Sequence, residues 1–182
     1  MRRLLSTTTL TGLALVAGCA TLGGGSYVAR PLDTTQYLTY EWGPPDALPT
    51  GDARLDNNAI FADHLTGTID LGLAAKGLVR AEIGTRPDLL IHYHATVERK
   101  LLVDEADYGY NTYPPPYGTP RVQQYDEETL VVDFLDGRTH KLLWRGWVED
   151  TLGNLLHDQG RMERHIEAAV AQLMKELPFG RN

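Results

Sequence analysis

The chain has 182 residues, 42% of them hydrophobic and 23% charged, the proportions of one globular domain with a short appendage rather than of a disordered tail or a polytopic membrane protein. A formal net charge of −7 leaves no basic patch for phosphate contacts, so no nucleic-acid partner is expected. One cysteine and two serines, Ser6 and Ser26, exclude an internal disulfide framework and a Cys-rich zinc site, and leave little for serine chemistry.

Residues 1–18 read as an address. Arg2 and Arg3 make a positive start, and Leu4 to Val16 a mildly apolar stretch. That stretch is shorter than the roughly 20 residues a membrane span needs, but it suits a signal-peptide core. It closes on Val16-Ala17-Gly18-Cys19. Small residues followed at once by the only cysteine resemble a bacterial lipobox, in which the thiol receives diacylglycerol and the cysteine becomes the first mature residue. In lipoproteins of that kind an aspartate after the cysteine retains the protein at the inner membrane. Ala20 therefore implies an outer-membrane location, lipid-anchored and facing the periplasm. More than one acyl chain makes such an anchor stable.

Residues 19–26 follow as the lipidated cysteine and a Gly-rich tether (TLGGGS), and 27–182 as a single domain. Tyr37 to Trp42 is aromatic and β-prone, and Gly43-Pro44-Pro45 stops it. Asp56 is placed to cap a helix running to about Lys76, with Phe61, Leu65, Ile69 and Leu73 as its apolar stripe and Gly77 at its end. Leu78 to Ile83 reads as a short strand. From Asp88 to Val103, Leu89, Ile91, Tyr93, Ala95 and Val97 alternate with Leu90, His92, His94, Thr96 and Glu98, a strand with one apolar face. Leu130 to Leu135 alternates in the same way, and Asp136-Gly137 turns it into Lys141–Thr151. A last helix runs from about Gln159 to Leu177 behind Asp158, with Met162, Ile166, Ala169 or Val170, Leu173 and Leu177 as its stripe. Two helices with one apolar face each cover one side of a small sheet. The expected fold is therefore α+β: a two-layer sandwich of a mainly antiparallel four- to five-stranded sheet with two helices packed on one face.

The order of DTTQYLTYEW, RLDN, AAKGL, PDLLIHYH and EETLVVDFLDGRTHKLLWRGWVEDTL before a closing helix resembles the domain-of-unknown-function family 4136 of bacterial envelope lipoproteins. The likeness covers nearly all of the mature chain and is most specific from Thr129 to Thr151. Thr34 departs from it, standing where the family pattern often has an aromatic residue. The resemblance implies an α+β domain in the Gram-negative envelope. It implies no reaction, and no catalytic residue or cofactor carries over.

Several constellations bear on chemistry. After processing, Ser26 is the only serine and lies in the tether, and Cys19 is acylated, so neither nucleophile is available. His92 and His94, two apart on a strand, share a face about 7 Å apart, and Glu98 is on it too. This is a candidate divalent-metal site if the three converge; a polar outer sheet face is the plainer alternative. The segment 104–128 holds Tyr108, Tyr110, Tyr113 and Tyr117 around three prolines, with acids on both flanks. Tyrosine offers large contact area at low entropic cost, which makes these four a candidate surface for an envelope protein or cell-wall partner; a solvated hairpin tip is the alternative. The acids there do not have EF-hand spacing. Trp144 and Trp147 with Arg145 could form a glycan platform, although tryptophans three apart on a strand face opposite ways. Glu98 and Asp133 are a conceivable carboxylate pair for a cell-wall glycan enzyme, but one sequence does not set their register. The expectation is a non-enzymatic, lipid-anchored protein, with metal binding and glycan hydrolysis as successively weaker alternatives.

Overall fold

The computed structural model describes residues 22–29, 31–44, 50, 52, 55–56, 58–104, 121–151 and 158–180. They form a six-stranded mixed sheet and two helices, an α+β architecture. In chain order these are β1 (Gly23–Val28), β2 (Thr39–Trp42), α1 (Ala59–Ala75), β3 (Val79–Arg80), β4 (Leu89–Asp104), β5 (Arg121–Asp136), β6 (Leu142–Thr151) and α2 (Gln159–Glu176). The sheet order is β1-β6-β5-β4-β2-β3. β4, β5, β6 and β1 pair antiparallel, whereas β2 runs parallel to both β3 and β4.

Two expectations are corrected here. The sheet has six strands, not four or five, and it is partly parallel because α1 lies between β2 and β4 in the chain, as a crossover requires. The glycines assigned to a tether form β1: Gly23 pairs with Glu149 and Val28 with Trp144. Ser26 accordingly sits in a strand, where its hydroxyl donates to Glu176 Oε2 of α2 at 3.4 Å.

The helical stripes are where the spacing puts them. Phe61, Leu65, Ile69 and Leu73 of α1 are buried, as are Ile166, Ala169, Val170 and Leu173 of α2. Asn58, rather than Asp56, caps α1 by accepting from the Phe61 N–H, and Asp158 caps α2 by accepting from that of Arg161. Gly77, at φ 83°, closes α1: its N–H donates to the Ala74 carbonyl and that of Leu78 to the Leu73 carbonyl, a left-handed turn that glycine adopts without strain.

The inner face of the sheet supplies Leu89, Ile91 and Ala95 from β4, Leu130, Val132 and Phe134 from β5, and Trp144 and Val148 from β6. All belong to one core with the helical stripes. Gly146 lies between Trp144 and Val148, and a Cβ there would stand 2.6 Å from Trp144 Cζ2 and 2.9 Å from Leu173 Cδ2. Its lack of a side chain lets the indole lie across the strand.

β4 lies within one residue of the expected 88–103, whereas β5 is longer than the alternation indicated. They stay paired from Leu89↔Asp136 to Asp104↔Arg121, so residues 121–128, part of the segment read as a loop over 104–128, belong to a strand, and residues 105–120 lie outside the described residues. β6 leaves β5 at Thr151↔Glu127. Beyond that row six further pairs, from Arg99↔Asp126 to Asp104↔Arg121, form a ribbon of two strands.

Candidate functional site

Cys19 and the four tyrosines Tyr108, Tyr110, Tyr113 and Tyr117 lie outside the described residues. The other candidates lie on the sheet. His92 and His94 stand on the face away from the helices, as their alternation indicates. The His92 imidazole rests against Gly43, occupying the space a Cβ there would need. Glu98 pairs instead with Lys100, whose Nζ is 3.2 Å from Glu98 Oε2 and 3.3 Å from Glu127 Oε1. Among the described residues no three His, Cys, Asp or Glu side chains are placed to hold a metal ion.

Asp133 sits opposite His92, whereas Glu98 sits opposite Glu127 six residues along the strand, so the two do not form a carboxylate pair. Asp133 accepts from Arg145 Nε at 2.7 Å and Nη2 at 2.6 Å, a bidentate pair on neighbouring strands. Trp144 is fully buried and makes an edge-on contact with Phe134 at 5.3 Å. A platform of both tryptophans is therefore excluded. Trp147, on the opposite face, lies over Gly25 of β1, where an added Cβ would come within 2.8 Å of its ring.

A cluster not foreseen from the sequence lies between the sheet and α2. Glu128 of β5 and Asp150 of β6 are neighbours across the ladder, and both point to the helical side. His165 of α2 stands between them, its Nε2 3.5 Å from Glu128 Oε2 and its Nδ1 3.3 Å from Asp150 Oδ2. The side chains of His165 and Glu128 are 14% and 9% exposed, so solvent screens this contact weakly. Glu128's hydrogen bond pushes the His165 pKa up, against the opposing effect of burial, and the charges of Glu128 and Asp150 add to the rise. The surrounding cleft is lined by Phe61, Leu65, Val148 and Ile166 and has about 10 Å³ of free space, at the limit for one water and too little for a substrate. With a carboxylate at each nitrogen, the imidazole has no nitrogen free to activate a nucleophile. The arrangement favours the protonated imidazole and ties α2 to two strands.

A second polar centre ties α1 to the parallel edge. Asp70 Oδ1 accepts from the Tyr40 hydroxyl at 2.8 Å and from Trp42 Nε1 at 3.0 Å, and Oδ2 accepts from Arg80 at 2.9 Å. Burial first, and then Asp70, push the Tyr40 hydroxyl up to about 12. It is protonated throughout the physiological range and serves as a donor.

No curated protein matches the chain. Among solved structures, the fold is similar to a PDZ domain protein from Parabacteroides distasonis, at 14% identity and TM-score 0.55. The match covers 88% of this chain, which spans only 36% of the length of that protein. It is also similar to a DUF4136 family protein from Bacteroides thetaiotaomicron, at 12% identity and TM-score 0.51, covering 85% of this chain and 97% of that one. The family model for that domain of unknown function matches residues 26–179. By that match, over most of its length, the chain belongs to the DUF4136 family.

Proposed function

We propose that this protein is a non-enzymatic, lipid-anchored component of the outer membrane, whose domain binds a periplasmic or cell-wall partner. The observation that carries the reading is Cys19, the only cysteine, standing at the end of a signal-like segment and just before the folded domain. The buried His–carboxylate cluster found among the described residues has a carboxylate at each imidazole nitrogen and serves to tie α2 to the sheet. No described helix is long and apolar enough to cross a membrane; in this reading the acyl chains alone provide attachment.

Radiolabelled palmitate fed to cells should enter the wild type and not Cys19→Ala. Label retained by the variant would remove the anchor from this account. Ala20→Asp should move the protein from outer- to inner-membrane fractions. An unchanged distribution would leave the sorting claim without support.

A further inference from the structure

The register places the start of β1 and the β4–β5 ribbon at the same end of the sheet. Gly23 pairs with Glu149, Glu149 with Thr129, and Thr129 with Thr96. β1 runs away from this row, so the chain upstream of Gly23 leaves in the direction in which the ribbon projects. Only three residues, Ala20 to Leu22, separate Cys19 from Gly23. Fully extended, the four steps from Gly23 back to Cys19 span at most about 14 Å. Over the eight steps from Thr96 to Asp104, the ribbon advances about 27 Å.

Resting on the anchor proposed above, we propose that the β4–β5 ribbon, residues 99–104 and 121–126, lies along the surface of the membrane that holds Cys19. With its strands upright, the domain would drive the ribbon tip about 13 Å into the bilayer, since the tether is that much shorter than the ribbon. Among the described residues no third strand pairs with the ribbon's backbone edges, and its rows carry Arg99, Lys100, Asp104, Arg121 and Asp126. Unpaired backbone groups and charges are excluded from hydrocarbon. The geometry that satisfies both lengths tilts the strands well away from the membrane normal, bringing the ribbon down among the headgroups. Its exposed side chains suit that zone. Leu101 is 64% exposed and faces one side, while Lys100 faces the other, an apolar group and a cation on a short platform.

The test uses the full-length lipidated protein reconstituted into phosphatidylethanolamine–phosphatidylglycerol vesicles. With the Cys19 thiol acylated, Leu101→Cys, Lys100→Cys and, as a reference on α1, Leu71→Cys each supply one free thiol for a fluorophore. Lipids with a quencher at headgroup depth should quench at least one ribbon position several-fold more than position 71. A Gly-Ser insertion between Cys19 and Gly23 long enough to exceed the ribbon's reach should remove the difference. Co-sedimenting protein with ribbon labels quenched no more than position 71 overturns the ribbon's placement alone. Protein that fails to co-sediment overturns the anchor and the placement with it.

Discussion

Truncating Trp144 to alanine should destabilise the domain by about 3–5 kcal/mol, the range for removing a large aromatic from a packed core. The indole has no exposed surface, contacts Phe134 edge-on and lies across Gly146 beside Leu173. For a domain of this size that corresponds to a loss of roughly 6–20 °C in melting temperature, at about 2–4 °C per kcal/mol. Trp144→Phe should cost much less. The Trp144 Nε1 is buried without a hydrogen-bond partner, and phenylalanine removes that unsatisfied donor along with part of the ring. Gly146→Ala approaches the same contact from the other side by pressing a methyl into the indole, and should cost about 1–3 kcal/mol. Denaturant unfolding of the three variants checks the ordering. Equal losses for Trp144→Phe and Trp144→Ala would show that the donor is satisfied in solution.

The second large effect is expected at His165. Replacing it by leucine leaves Glu128 buried without its cationic partner, a change that typically costs about 3–5 kcal/mol. Adding Glu128→Gln to that variant removes the stranded charge and should recover a substantial part of the loss. The stabilisation also has a defined pH dependence. The pKa of His165 is raised in the folded state, so folding takes up protons as the group titrates. Its contribution is complete below the unfolded value of about 6.5 and is lost as pH rises through the raised folded value. Measured against His165→Gln, the wild type should show its widest stability advantage in mild acid and a shrinking one toward alkaline pH. A difference independent of pH would mean that the imidazole does not bind its proton between the two carboxylates.

Much of the fold was legible because local periodicity and tertiary burial coincide in it. The four-residue spacing of Phe61, Leu65, Ile69 and Leu73, the cap at Asp158 and the alternation from Leu89 to Val97 each report a face that the core covers. β1 escaped because three consecutive glycines carry no alternation; pairing with β6 and the ring of Trp147 over Gly25 define that strand. The first half of β5 escaped for a related reason. Arg121 to Glu127 has only Val122 and Tyr125 among polar residues, three apart and so on opposite faces, and no apolar period marks it as a strand. The Glu128–Asp150–His165 cluster joins three elements through strand register and helix placement, neither of which is encoded in local spacing. The same absence of register information left Glu98 and Asp133 open as a pair, until the ladder set them six residues apart.

The pairing of β1 with β6 also has a consequence for how the domain comes together. Gly23–Val28 meets Trp144–Glu149, partners separated by more than 100 positions in the chain. As the polypeptide emerges from its N-terminus, the first strand waits for nearly the whole domain before an edge exists for it to join. Contacts this distant in sequence slow folding, because the intervening loop must close before any pairing rewards it. A chain whose first strand pairs only with its last strand cannot complete its sheet until nearly the whole domain has been made.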